Sequence, residues 1–302
     1  MNNEFALITE FNWGYRWGFN GLVNGLDYHG NKGIDIHAIH SSEVPAEYLE
    51  EAKRIYPNIY FYRVEDYEKE YPPPPNCGSR WSLEFYKYKL AKEVAYNYNA
   101  IVMMDCDYLC TGRIENYLEL VVDKDLILTS NNWMDPPNNL NDFDEEFLMK
   151  SFDENKYIFP VMNSPCFLNP SANMDFLEKV FELGRIHGED CLPFSQALGY
   201  SGKLSKTIPL PGILFFNPAY AYTEIQHYMS NNKRCYYTIG DKMILIHRHW
   251  WAYAEIDGEI TAWATENPDP KREAMARRSS DLLFRECKLI NTAHKLKIPW
   301  VG

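Results

Sequence analysis

The sequence predicts an α/β fold with a mostly parallel central sheet flanked by helices. Three observations carry this. Short apolar runs alternate with segments of helical spacing from the N-terminus onward. The runs are too brief for helices and read as buried strands. One of them, Ala100-Ile101-Val102-Met103-Met104, closes on the acidic triplet Asp105-Cys106-Asp107, at the strand end where open parallel sheets bind their ligands.

Phe5 to Thr9 predicts the first strand. Phe19, Leu22, Val23 and Leu26 recur at helical spacing and predict a helix from Phe19 to Tyr28, broken by the segment from His29 to Gly33. Ile34, Ile36 and Ala38 form a second strand. Pro45 opens a helix reaching about Tyr56, and Asn58 to Val64 is a third strand. The prolines of Tyr71 to Asn76 exclude either element. Ser79 is the expected N-cap of a helix to about Tyr96, which leads into the Asp105 strand. Further on, Leu126 to Thr129 reads as a strand, Asn131 to Asn141 as a polar loop and Tyr157 to Leu168 as extended. Met174 to Gly184 is helical, with Phe176, Val180 and Leu183 on one side. Met243 to His249 is a strand, and Gly258 to Gly302 a charged helical tail bearing Arg272, Arg277 and Arg278. No repeat or linker divides the chain.

The 302 residues are 46% hydrophobic and carry a formal charge of -12, which argues against a general nucleic-acid or anionic-membrane binder. The seven cysteines are scattered without CxxC pairs and read as reduced thiols. With no visible signal peptide or membrane span, they give an expected cytoplasmic location. Aromatic residues make up 15% of the chain; they fill a core or serve as stacking platforms for flat or sugar-like ligands.

Two carboxylates at a strand mouth repel each other and resist desolvation unless a cation joins them. Oxygen ligands suit Mn2+ or Mg2+. Far downstream, His247 and His249 fall on one face of a strand, because side chains alternate with period two. Either supplies a neutral imidazole for such a cation; both are equally read as surface histidines. Arg80, Glu84 and Lys87 lie at i, i+4 and i+7 on one helix face. Arg80 and Lys87 are candidates to hold phosphate or sugar, against the plainer reading of a solvated face with an Arg–Glu pair.

The ordered set resembles the GT-A glycosyltransferases, nucleotide-sugar enzymes with an Asp-x-Asp motif, and glycogenin-like retaining families within them. The parts are the first strand, the helix containing Tyr86-Lys87-Tyr88-Lys89-Leu90, Asp105-Cys106-Asp107, the Asn-containing strand Val161 to Asn169, the acidic pair Glu189-Asp190 and the strand Ile244 to Trp251. They span about residues 4 to 255. The chain departs from that pattern in Cys106, in Ser164-Pro165 where Ala-Gly is common, and in lacking Gly-x-Lys-Pro-Trp after the histidine. The resemblance implies one GT-A domain over 1–302, with a nucleotide-binding half to about 110, an acceptor and metal-completing half to about 255, and a tail.

It also implies roles. Asp105 and Asp107 bind the metal, with His247 or His249 completing the set, and Asp105 alternatively holds ribose or sugar hydroxyls. Thr9, Glu10, Phe11 and Asn12 hold the nucleoside, where Trp13, Tyr15 and Trp17 stack on the base or pack the loop. Asn163 and Asp190 flank the transferred sugar, Asp190 standing nearest the anomeric centre; for Glu189-Asp190 the alternative is compensation of a helix N-terminus. The donor implied is a UDP-sugar and the enzyme a hexosyltransferase acting on a saccharide or protein acceptor, with Asn131 to Asn141 and Ala219 to Asn232 as acceptor loops. Two other readings are a haloacid dehalogenase-like phosphatase, whose Asp-x-Asp normally lies near the N-terminus, and a non-catalytic carbohydrate-binding protein. A nucleotidyltransferase would need an early Gly-rich loop, which Gly14 to Gly18 imitates poorly.

Overall fold

The structure, a computed structural model, describes residues 4–28, 30–31, 33–75, 77, 82–106, 108–110, 113–130 and 164–210, and the strand residues 215–216, 245–247, 253–256 and 259–262. In chain order the elements are β1 (Phe5–Phe11), α1 (Arg16–Tyr28), β2 (Ile34–His40), α2 (Ala46–Ile55), β3 (Ile59–Arg63), α3 (Val64–Glu70), α4 (Ser82–Val94), β4 (Ala100–Met103), β5 (Tyr108–Cys110), α5 (Glu115–Val121), β6 (Ile127–Ser130), β7 (Cys166–Leu168), α6 (Met174–His187), α7 (Cys191–Tyr200), β8 (Thr207–Leu210), β9 (Phe215–Phe216), β10 (Leu245–His247), β11 (Tyr253–Ile256) and β12 (Glu259–Ala262).

The chain divides into two compact units. The first takes Met1–Arg16, Gly33–Cys106 and Ile114–Pro211; the second takes Trp17–Lys32, Asp107–Arg113 and Gly212–Gly302. Among the described residues, the first unit holds a seven-stranded sheet in the order β3-β2-β1-β4-β7-β6-β8. All neighbours are parallel except β7, which runs antiparallel to both β4 and β6. The expected mostly parallel α/β sheet is therefore present. Its central strands are covered on both faces: β4 reads as the apolar run Ala100–Met103, and β2 is buried along its whole length although it carries the polar Asp35, His37 and His40.

One sheet face, carrying Ala6, Ile8, Ile101 and Met103, packs under α4, α6 and α7 through Phe85, Tyr86, Leu90, Phe176, Val180, Phe181 and Phe194. Phe176 and Phe194 meet edge to face at 5.2 Å. Helix α6 approaches α4 so closely that a Cβ built on Gly184 would stand 2.5 Å from the Cβ of Phe85. Helix α6 then ends on Gly188 in the left-handed region, at φ 75°. On the other face, Tyr117 of α5 packs against Phe167 of β7 at 5.6 Å.

In the second unit, β5, β10 and β9 form a small sheet, with β10 antiparallel to β5. A Cβ on Gly25 of α1 would meet the Cys110 carbonyl oxygen at 2.4 Å, so only glycine fits that approach.

Several boundaries and elements differ from the sequence reading. β1 runs on to Phe11, so Thr9, Glu10 and Phe11 are strand residues and not a following loop. Val64 starts α3 instead of closing β3, and Pro45 precedes α2 as its N-cap. The segment from Gly258 onward is not wholly a helical tail, because Glu259–Ala262 pairs with Tyr253–Ile256 as a hairpin. Isoleucine and threonine suit that pleated pairing. Ser79, Arg80, Asp107, Asn163 and His249, the 131–141 and 219–232 loops, and Arg272, Arg277 and Arg278 lie outside the described residues.

Candidate active site

In the first unit, Lys87 of α4 is the hub of the polar groups. Its side chain is 0% exposed, and its Nζ lies 2.6 Å from Asp105 Oδ1, 3.0 Å from Asp190 Oδ2 and 3.5 Å from Glu10 Oε1. Four sequence-predicted residues thus meet at one point. The plainer reading of Lys87 as part of a solvated face is corrected. Helix α4 lies between the sheet and α6, so the side turned toward the strand ends is enclosed.

The convergence has a local origin. Strand register pairs Ala6 with Ile101 and Ile8 with Met103. Alternation then sends Glu10, and Asp105 just beyond β4, to the same face as those core residues. That is the face α4 covers. Both carboxylates leave the carboxyl ends of adjacent parallel strands, the usual ligand end of such a sheet. Asp190 occupies the N-cap position of α7 but makes no side-chain cap hydrogen bond; it faces Lys87 instead. As the residue before α7 it also stands where a negative charge compensates the helix end.

Burial pushes the Glu10 carboxyl well above the ordinary carboxylate range; Lys87 pulls it down, while Asp105 and Asp190 push it further up. Burial also works against the Lys87 ammonium, yet Asp105, Asp190 and Glu10 together hold it charged, with its pKa raised well above the usual value. The Asp190 contact is an ion pair without a directed hydrogen bond, and Glu10 Oε2 is buried with no hydrogen-bond partner. The Asp105 side chain is 29% exposed, so the cluster opens toward solvent there.

The other predicted residues of the first unit divide. Thr9 and Phe11 face the opposite side of β1 from Glu10 and are buried. Phe11 packs at about 6 Å against His40, Tyr48 and Phe61. Asn12 caps the turn after β1, its side chain accepting the Tyr15 N–H at 3.0 Å. Trp13 meets Tyr48 edge-on and carries the Arg16 guanidinium over its ring at 4.3 Å, the loop-packing role.

In the second unit, β10 pairs with β5 so that His247 stands opposite Tyr108, the residue after Asp107. The segment just after the acidic triplet and the His247 strand are therefore neighbours in one small sheet. Among the described residues, no three His, Cys, Asp or Glu groups gather as a metal cluster. Ser164 has no role in the sequence reading. Its Oγ accepts the Asp105 N–H at 2.9 Å, a contact that only the pairing of β7 with β4 reveals.

A mostly parallel seven-stranded sheet with one reversed strand, flanked by helices, matches the GT-A fold of solved glycosyltransferases. The galactosyltransferase LgtC, solved with donor and acceptor sugar analogs, is similar with a TM-score of 0.55 and 12% identity, over 93% of this chain and 95% of that one. The glycosyltransferase GlyE of Streptococcus pneumoniae gives 0.54 at 12% identity over 100% of this chain and 66% of that one. The bifunctional WbbM gives 0.52 at 12% identity over 82% and 46%. The chain thus spans about two thirds of GlyE and under half of WbbM. No family model matches the sequence, and no curated protein matches it.

Proposed function

We propose that the protein is a metal-dependent glycosyltransferase moving a sugar from a nucleotide-sugar donor, a UDP-sugar, to a saccharide or protein acceptor. The observation that carries this is the meeting of Glu10, Asp105 and Asp190 on the buried Lys87 at the carboxyl ends of β1 and β4. The similar folds include a galactosyltransferase solved with a donor analog. The ordered motifs, similar to those of glycogenin-like families, favour the same chemistry, and hexosyl transfer within it.

The donor set suits a hard cation. Asp105 is an oxygen ligand open to solvent, with Asp190 held beside it on the same ammonium. Asp105 and Asp107 would hold Mn2+ or Mg2+, with His247 or His249 completing the set. Such a cation supplies Lewis-acid stabilisation of the departing diphosphate. The chain's own residues orient the rest. Lys87 fixes Asp105 and Asp190 so that neither swings with the loop that carries it. Asp190, with Asn163, flanks the sugar as the anomeric carbon exchanges its phosphate oxygen for an acceptor hydroxyl. Asn12 would lead the nucleoside end, with Thr9, Glu10 and Phe11 behind it in β1, and Arg80 would contact phosphate. The five described cysteines are all unbridged, which supports a reducing, cytoplasmic setting. No helix among the described residues is long and apolar enough to cross a membrane.

The test is thermal stabilisation by nucleotides with and without Mn2+, followed by diphosphate release from a panel of nucleotide sugars. UDP is expected to raise the melting temperature only with metal, and Asp107→Ala to abolish that rise. A protein indifferent to every nucleotide with metal present would sink the reading. Metal-dependent release of inorganic phosphate from phosphomonoesters would favour the phosphatase instead.

A further inference from the structure

We propose that Ser164 is a positioning residue that fixes the backbone of Asp105 and, through it, the direction of its carboxylate; the inference rests on the glycosyl-transfer reading. β7 pairs with β4 antiparallel, Leu168 with Ile101, Phe167 with Val102 and Cys166 with Met103. Continuing that register brings Ser164 opposite Asp105. The strand's ordinary hydrogen bonds stop short of this point. The Met104 N–H turns to β1 and donates to the Ile8 carbonyl at 3.0 Å. The next N–H, that of Asp105, turns the other way, toward the chain leading into β7. β4 ends at Met103 and β7 begins at Cys166, so Asp105 and Ser164 lie just beyond the backbone ladder. The Ser164 hydroxyl takes over, accepting the Asp105 N–H at 2.9 Å from a position that is 1% exposed.

Asp105 is therefore held twice. Ser164 fixes its main chain and Lys87 holds its Oδ1 at 2.6 Å. The two restraints come from different elements, so losing the one from Ser164 loosens the main chain that carries the carboxylate. The Ser164 hydroxyl meets the Asp105 main chain. Its effect passes through Asp105, and a hydroxyl is what that effect requires: alanine has no acceptor, whereas threonine keeps one.

The experiment compares wild type, Ser164→Ala and Ser164→Thr in the full chain. It reads Mn2+ binding in the presence of UDP by calorimetry, exchange of the Asp105 amide by NMR, and the melting temperature. Ser164→Ala is expected to keep the fold, to expose the Asp105 amide to exchange and to weaken Mn2+ binding about tenfold, in the range seen when groups that orient metal ligands are removed. Ser164→Thr is expected to restore both. Unchanged Mn2+ binding in Ser164→Ala overturns the positioning role while leaving the transferase reading intact. A wild type that binds neither Mn2+ nor UDP overturns both, and the amide exchange then still reports whether the hydrogen bond exists. Equal losses in Ser164→Thr and Ser164→Ala also overturn it, since the hydroxyl would then be irrelevant.

Discussion

Lys87 and Asp190 form a buried ion pair, with Nζ 3.0 Å from Oδ2 and neither side chain more than 2% exposed. One comes from the middle of α4, the other from the residue before α7. Their meeting ties the start of α7 to the acidic ends of β1 and β4. Because the same ammonium also serves Asp105 and Glu10, its removal strands several carboxylates at once.

Lys87→Met is therefore expected to destabilise the protein by about 3–5 kcal/mol at neutral pH, the usual consequence of leaving buried charge uncompensated. The sign of the pH effect follows from the carboxyls. Burial already raises the Glu10 carboxyl, and losing Lys87 removes the charge that lowers it, so Glu10 is favoured protonated in the folded variant. The deficit should be smallest at acidic pH and grow as pH rises through the raised folded-state value of Glu10. Urea denaturation of wild type and variant from pH 4 to 8 checks this. A difference independent of pH would contradict the ion-pair account.

Asp190→Asn keeps the shape and removes one charge. It should lower kcat by at least about 10²-fold if Asp190 stands at the reacting sugar. The measurement is donor turnover under saturating UDP-sugar, with donor KM recorded separately. A variant with wild-type kcat would assign Asp190 to structure alone.

His37 gives a pH dependence unrelated to the acidic cluster. Tyr98 donates to Asp35 at 2.9 Å, so the His37 Nε2–H must donate to the Tyr98 oxygen at 2.7 Å, and Nδ1 then accepts from Tyr62 at 2.8 Å. This is the neutral ring. Burial lowers its pKa from 6.5 to about 4, against the opposing pull of Asp35. A histidine depressed on folding contributes stability that is present above its unfolded value and lost as pH falls toward the folded one. The loss between pH 6.5 and 4 is on the order of 3 kcal/mol. His37→Gln should be destabilised at pH 7, with the gap to wild type closing by that amount toward pH 4 in chemical denaturation.

Gly184→Ala tests the contact between α4 and α6. The added methyl would lie 2.5 Å from Phe85 Cβ, and a Cβ fixed to its own backbone cannot turn away. The expected cost is about 1–3 kcal/mol, despite the better helix propensity of alanine. A thermal melt at or above the wild-type temperature would show that the helices separate without cost.

The succession of elements was legible in the sequence where the signal is local. β4 is an unbroken apolar run because both its faces are buried, and β1 is one up to Ile8, whereas β2 was legible from Ile34, Ile36 and Ala38 at every second position. α1 and α6 show their core side at helical spacing. α3 and α5 are seven residues each, too short for a period to emerge. The strand pairing of 259–262 with 253–256 was hidden behind the charged residues that follow it.

The sequence by itself determined the α/β class and the placing of Asp105 at a strand end, since apolar periodicity and chain order encode both. It also marked Glu10, Lys87 and Asp190 as separate candidates. Only the tertiary structure decided that these three and Asp105 share one ammonium, because a helix enclosed by a sheet and another helix no longer has a solvated face for its lysine. The reversed direction of β7 likewise decided the place of Ser164. That direction depends on strand pairing across more than fifty residues, which no local pattern of side chains records.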